Sequence, residues 1–343
     1  MGKMCERDLK CIQGSIEMKK PYISVIITAY DRKRFLKEAV KSVMNQTLNQ
    51  ELYEIIIIKN FLTPFDKDWK EKGIKILFLE GGNVGSFLKL GIKTAKGKII
   101  AFLDDDDIFF TCKLGTLYTF FKIHEEVVYY HNNSIAIDEN GLQTDKMTIP
   151  KCENYLITDY QKKSTLYNFV LNKHYFNISS VAVRKNVLLR YKEYFSKVTS
   201  TDDFIAFVSV ASKGILVCSP KVLTNYRIHD KNTSIGLDFK SFYKKHLEDK
   251  KMERIFKNIL VRNGCKTALD ILNSKCLRDK LNYYILTKKR IKYLNLFTYI
   301  KNYTFPFMVY CKKIDMFLFL ALFSIINKEK ARQILSRKQR IRR

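Results

Sequence analysis

KIIAFLDDDDIFF, residues 98–110, is the stretch on which the fold turns. An apolar run drives into four consecutive aspartates, Asp104 to Asp107, and then turns apolar again. The chain carries 62 Lys+Arg against 34 Asp+Glu, a net charge of +28, so four carboxylates at one point run against its composition. Like charges this close repel, and burial raises their pKa values unless a cation neutralises them. Two readings compete. One is a solvated turn; the other is a seat for a divalent cation, because hard cations take oxygen ligands.

The surrounding pattern favours the second reading. YISVIITAY (22–30), YEIIIIK (53–59), IKILFL (74–79) and KIIAFL (98–103) are continuous apolar runs rich in β-branched residues, the mark of strands buried on both faces. Between them, KRFLKEAVKSVMNQ (33–46) repeats apolar residues at helical spacing behind a capping Asp31. SFLKLGIKTAKG (86–97) reads as a helix closed by Gly97. Alternating strands and helices describe an α/β domain with a mostly parallel sheet flanked by helices. Ligands of such sheets bind outside the carboxyl ends of the strands, which is where the aspartates fall.

Beyond them, 113–126 reads as a helix and 127–144 as two strands ending at Glu139-Asn140-Gly141. Residues 145–163 read as a loop and 180–185 as a short strand. DDFIAFVSVASKG (202–214) reads as a helix started by its own aspartates, followed by strand-like 215–220 and 222–230. After about residue 236 the chain becomes basic, with helical periodicity and few turn signals.

At 343 residues there is room for one large domain or two modest ones, and 46% hydrophobic content excludes wholesale disorder. The eight cysteines are scattered, with no CxxC and no His partner at zinc spacing, so they read as thiols in a reducing compartment. Residues 1–20 hold no apolar stretch of a secretory signal and read as a polar extension. The positive charge favours a polyanionic partner: nucleic acid, anionic lipid or a phosphorylated small molecule.

From Ser24 to Ser234 the ordered motifs resemble inverting family-2 glycosyltransferases of the GT-A fold. SVIITAYDR resembles the family's first strand and turn. SVMNQT (42–47) with YEIIII resembles its second stretch. Asn83, Gly85, the Gly91-Ile92 step and Ala95-Lys96-Gly97 resemble the approach to its Asp-x-Asp motif. Asp202-Asp203 resembles its acidic pair, and YRIHDKNTS (226–234) a Tyr-Arg-x-His stretch. The resemblance implies a GT-A-like sheet with a Rossmann-like nucleotide-binding half (21–130), an acceptor and base half (131–236), and a helical basic region (237–343). It implies a nucleotide-diphosphate sugar donor, a glycan or lipid-linked hydroxyl acceptor, and Mg²⁺ or Mn²⁺ to neutralise the leaving diphosphate.

Residue by residue, the resemblance makes Asp106 the direct metal ligand, with Asp104 and His229 beside it. Asp104 and Asp105 would contact the ribose or support the metal, and Asp107 would cap the next segment. Asp203 matches the base that takes the acceptor proton, with Asp202 its acidic neighbour; both also suit a helix start. His229 reads equally as a structural histidine. Lys89 and Arg227 are phosphate contacts or solvated cations. Thr28 and Tyr30 fit the nucleotide pocket, Tyr30 as a stacking platform or a core residue. The sequence departs from the family at Asn60, where an Asp usually reads the base, and at Leu88-Lys89, where an Arg-Asn pair is usual.

The C-terminal part holds MFLFLALFSIIN (316–327), 12 uncharged residues. A spanning helix needs roughly 20. The flanking cations fit a helix lying on an anionic membrane surface, or a buried amphipathic helix packed on the catalytic domain. The expected location is therefore cytoplasmic, with peripheral attachment to the inner face of the cell membrane. Two other classes fit less well. A nucleotidyltransferase would place glycines after the first strand, where Ala29-Tyr30-Asp31-Arg32 stands. A nucleic-acid-binding protein suits the charge but lacks any zinc-finger or RRM signature, so nucleic acid is not the expected partner.

Overall fold

The structure is a computed structural model that describes residues 20–147, 149–230, 232 and 239–286, with positions 300, 329–331, 333 and 334. The expectations for residues 1–19 and for 316–327 lie outside the described residues. Nine strands form one sheet: β1 (Ile23–Ala29), β2 (Tyr53–Lys59), β3 (Lys75–Phe78), β4 (Ile99–Asp104), β5 (Ile108–Phe109), β6 (Val127–Ile137), β7 (Leu156–Thr158), β8 (Val181–Arg184) and β9 (Ile215–Arg227). Their order is β3-β2-β1-β4-β8-β6-β9-β5, with β7 paired to β9.

The half β3-β2-β1-β4 is parallel throughout, as the double-sided apolar runs require. Past β4 the sheet becomes mixed. β8 runs antiparallel to both β4 and β6, while β6 and β9 pair in parallel. The expected two strands over 127–144 are one strand, β6, and the expected pair over 215–230 is likewise one strand, β9. Turn signals inside them are absorbed as register shifts near Asn132 to Ser134, opposite Ser219 to Thr224.

Helices α1 (Leu36–Met44), α2 (Asp66–Glu71), α3 (Val84–Thr94), α4 (Lys113–Ile123), α5 (Lys163–Leu171), α6 (Lys185–Arg190) and α7 (Thr201–Ala211) cover the sheet. One face buries Val25, Ile27 and Ile57 under α1 and α4; the other buries Ile26, Ile58 and Phe102 under α3 and α7. Alternate residues of one strand thus serve opposite cores, the period-2 geometry of a strand. α3 starts at Asn83, whose side chain accepts from Ser86 N at 3.0 Å, and ends at Ala95, two residues before Gly97. Gly97 is needed for another reason. A Cβ there would sit 2.6 Å from Ser24 N, so a side chain would prise the approach to β4 away from β1.

Helices α8 (Phe239–Arg262) and α9 (Lys266–Leu286) bear out the helical reading of this region. Met252, Phe256, Ile259, Ile271 and Leu272 join the same core as α7, and Phe256 stacks on Phe207 at 5.0 Å. Across the expected boundary at 236, this pair therefore shares the core of the preceding domain.

Candidate active site

The aspartates occupy the turn between β4 and β5. Asp104 closes β4 beside Thr28, its register partner on β1. The Asp104 amide donates to Ser179 Oγ at 3.0 Å. Asp105, Asp106 and Asp107 are all buried, so the solvated-turn reading fails. Burial, reinforced by the Asp106 charge, pushes the Asp104 carboxyl up to about 7 and Asp105 to about 8, against the pull of Arg32. Burial and the Asp106 and Asp104 charges also hold Asp107 well above the usual range.

Two arginines manage this charge. The Arg32 guanidinium donates to Asp105 Oδ1 at 2.5 Å and to Asp106 Oδ2 at 2.7 Å. Arg227 is fully buried. Its Nε donates to Asp106 O at 2.9 Å, and one terminal nitrogen donates to the carbonyls of Asp138 (3.2 Å) and Glu139 (2.9 Å). The other pairs with Glu38 at 2.7 Å, and its backbone amide donates to Asp107 Oδ1 at 2.9 Å. Arg227, expected as a phosphate contact, meets these chain acceptors in the structure. A guanidinium without exposed surface, committed to four chain acceptors, holds the acidic turn in place. Lys89, expected in the same role, has its ammonium 2.6 Å from Glu193 Oε2.

Oxygen atoms of Asp104, Asp106 and Asp107 lie within 4.8 Å of one another. Asp107 Oδ2 is buried with no hydrogen-bond partner among the described residues. His229 Nε2 stands 2.9 Å from Asp106 Oδ2, and its backbone amide donates to Asn232 Oδ1. An orphaned carboxylate oxygen among three clustered acids and a nearby imidazole is a donor set that fits a hard divalent cation such as Mg²⁺ or Mn²⁺.

The second acidic pair begins α7. Ser200 Oγ reaches Asp202 Oδ1 at 2.9 Å and Asp203 Oδ2 at 2.8 Å. The Asp202 charge is close enough to help raise Asp104, so the two acidic groups share one region. Burial pushes Asp203 upward, but Lys275, the Ser200 hydroxyl, Lys173 and Tyr175 outweigh it and hold the carboxyl below its ordinary value.

Tyr30, just past the end of β1, is 48% exposed, its ring edge-on to Phe87 at 5.7 Å. It is therefore not a core residue. Asn60, ending β2, exchanges two hydrogen bonds with Asp31: its Nδ2 donates to Asp31 Oδ1 at 2.7 Å, and its Oδ1 accepts from the Asp31 amide at 3.0 Å. Asp31 stands at φ 54°, a conformation that costs a non-glycine residue strain and is found at ligand sites.

Sequence reasoning missed Arg32, Asp31, Tyr175, Ser179 and Lys275. Arg32 and Asp31 carried a signal, since both follow the first strand at its carboxyl end. The loop 173–180 carried little. Its Lys173 and Asn177 adopt φ of 54° and 70°, and it delivers Tyr175 to Asp203 and Ser179 to Asp104.

A parallel half of the sheet, an acidic turn at its carboxyl edge and a second acidic pair make up an architecture of the GT-A type. Residues 24–192, just under half of the chain, match the family model described as Glycosyl transferase family 2. Among similar proteins, an uncharacterized glycosyltransferase of Rickettsia bellii is 27% identical over 218 residues, 62% of this chain but only 29% of that protein. The poly(ribitol-phosphate) beta-N-acetylglucosaminyltransferase TarP of Staphylococcus aureus is 29% identical over 141 residues, 39% of this chain and 40% of its own. The chain thus spans well under two thirds of either relative. In fold it resembles S. aureus TarS residues 1–349 solved with UDP-GlcNAc, at TM-score 0.59 and 14% identity, covering 92% of this chain and 91% of that one.

Proposed function

We propose that the protein transfers a sugar, with inversion and with a divalent cation, from a nucleotide-diphosphate donor to a hydroxyl of a glycan or lipid-linked acceptor. The observation that carries this reading is the pairing of two acidic groups of opposite electrostatic character. The Asp104–Asp107 turn has carboxyls driven toward the neutral form, a charge deficit that a cation relieves. Asp203 is held ionised, as a general base must be. Two such environments side by side assign the acid and base roles.

Asp104, Asp106 and Asp107 would hold the cation, with His229 at its edge; the cation would supply charge neutralisation for the departing diphosphate. The chain's own residues do the rest. Asp203 accepts the acceptor's hydroxyl proton, and direct attack of that hydroxyl oxygen on the sugar carbon, with the nucleoside diphosphate leaving, is a single displacement that inverts it. Asp202 keeps negative charge beside the turn. Tyr30 offers an open ring face to the nucleotide base. Asp31, fixed by Asn60, supplies the carboxylate that the family usually places at position 60. The donor bound to TarS supports a UDP-sugar, and the name of TarP supports an anionic polyol-phosphate acceptor. The net charge of +28 supports binding to such an acceptor or to an anionic membrane surface from the cytoplasmic side. No helix among the described residues is long and apolar enough to cross a membrane.

The test is thermal stabilisation by UDP-N-acetylglucosamine with and without Mn²⁺, together with UDP release. Stabilisation that needs Mn²⁺ and disappears in Asp106→Ala supports the metal assignment. Asp203→Asn should keep that stabilisation and lose transfer roughly 10²–10⁴-fold. Parental behaviour in both variants refutes the site.

A further inference from the structure

Lys275 lies on α9, outside the segment matched by the family model, yet its Nζ is 3.3 Å from Asp203 Oδ1. The two side chains are 19% and 21% exposed. At that depth an ion pair is only partly screened by water. The position of Lys275 is fixed from several directions. α8 stacks Phe256 on Phe204 and Phe207 of α7. The Met252 sulfur accepts from the Thr199 and Ser200 amides just before α7 begins. Cys265 and Ala268 continue the same core into α9.

We infer that Lys275 is a positioning residue for Asp203, pairing with it so that the C-terminal helical pair forms part of the active site. The inference rests on Asp203 being the base. Among the described residues, the following groups face that carboxylate. Asp202 adjoins it on α7, and Ser200 donates to it. Lys173 and Tyr175 approach from the loop after α5, and Lys275 approaches from α9. Burial favours the protonated acid, and Lys275 is the largest of the effects that oppose it. A base kept ionised by a neighbouring cation is available at lower pH but is weaker, the Brønsted balance of general-base catalysis.

The experiment uses the full chain and Lys275→Met, Lys275→Arg and Asp203→Asn. UDP release from UDP-N-acetylglucosamine with Mn²⁺ is followed from about pH 3 to about 8.5, to span carboxylate ionisation. In Lys275→Met the acid limb of kcat/KM should move up by about one pH unit or more, the effect of losing an opposite charge at this range. Activity then falls below the parent by about tenfold at low pH and converges with it at high pH, and Lys275→Arg restores the limb. An equal loss at every pH, or an unmoved limb, overturns the inference. If Asp203→Asn turns over like the parent, the base assignment itself fails and this inference falls with it. A denaturation cycle on Asp203→Asn, Lys275→Met and the double variant needs no donor. Coupling at neutral pH that vanishes in acid supports the pairing, and zero coupling refutes it, even if the parent releases no UDP from this donor.

Discussion

Replacing Arg227 with Met tests whether this buried guanidinium builds the acidic turn. The side chain is fully buried and donates to the carbonyls of Asp106, Asp138 and Glu139 and to Glu38. Its guanidinium also lies 4.4 Å from the Phe35 ring centre. Methionine fills much of the volume but donates nothing, so three carbonyls lose a charged partner. Hydrogen bonds to charged groups contribute about 1.5–3 kcal/mol each, and breaking a buried pair costs about 3–5 kcal/mol. Glu38 is half exposed and recovers water, which removes its share from the cost. The loss should be about 4 kcal/mol, a large part of the roughly 5–15 kcal/mol that holds a typical protein folded. Urea denaturation at neutral pH measures it. Because Asp106 and Asp107 hang on this residue, Mn²⁺-dependent stabilisation should weaken as well. Lysine keeps the charge without the planar fork, so Arg227→Lys should recover only part of both effects. A Met variant within about 1 kcal/mol of the parent, with unaltered Mn²⁺ response, would refute the reasoning, since 1 kcal/mol is an ordinary substitution effect.

Two further outcomes follow from the packing. His131 is buried, its Nε2–H donating to Phe176 O at 2.8 Å, and burial, more than its His174 and Lys113 neighbours, holds its pKa down to about 4. The unfolded chain protonates this histidine first as pH falls, so its contribution is complete above about 6.5 and is lost between there and about 4, at most about 3 kcal/mol. His131→Gln should flatten the urea-midpoint slope across that window, and an identical slope would remove His131 as the cause. Gly97→Ala should cost about 3 kcal/mol, because the new Cβ meets the Ser24 amide nitrogen at 2.6 Å and backbone cannot turn aside as a side-chain end can; a denaturation midpoint equal to the parent's would contradict that contact.

The parallel half of the sheet was legible because each strand carries its own evidence. YEIIIIK at 53–59 is β2 to the residue, and KIIAFL gives β4 with Asp104 at its end. The acidic turn was legible for the same reason, as the consequence of an apolar run stopping in charge. The second half was harder to read. β6 and β9 carry Asn132, Asn133, Ser219 and Pro220, which read as breaks, yet a long parallel pairing absorbs them as register shifts. β7 was invisible, since Leu156–Thr158 becomes a strand only by pairing with β9.

Sequence alone determined where negative charge gathers and which segments must be buried, because strand periodicity and local composition act within a few residues. Tertiary structure decided what that charge meets. Arg227 reaches the turn across 121 positions, Arg32 across 74, and Lys275 reaches Asp203 across 72. Each arginine or lysine looks alike in a chain with 62 of them. Folding withdraws Arg227 from water and partly covers Arg32 and Lys275, and a cation acquires a specific task as its alternatives in solvent are removed.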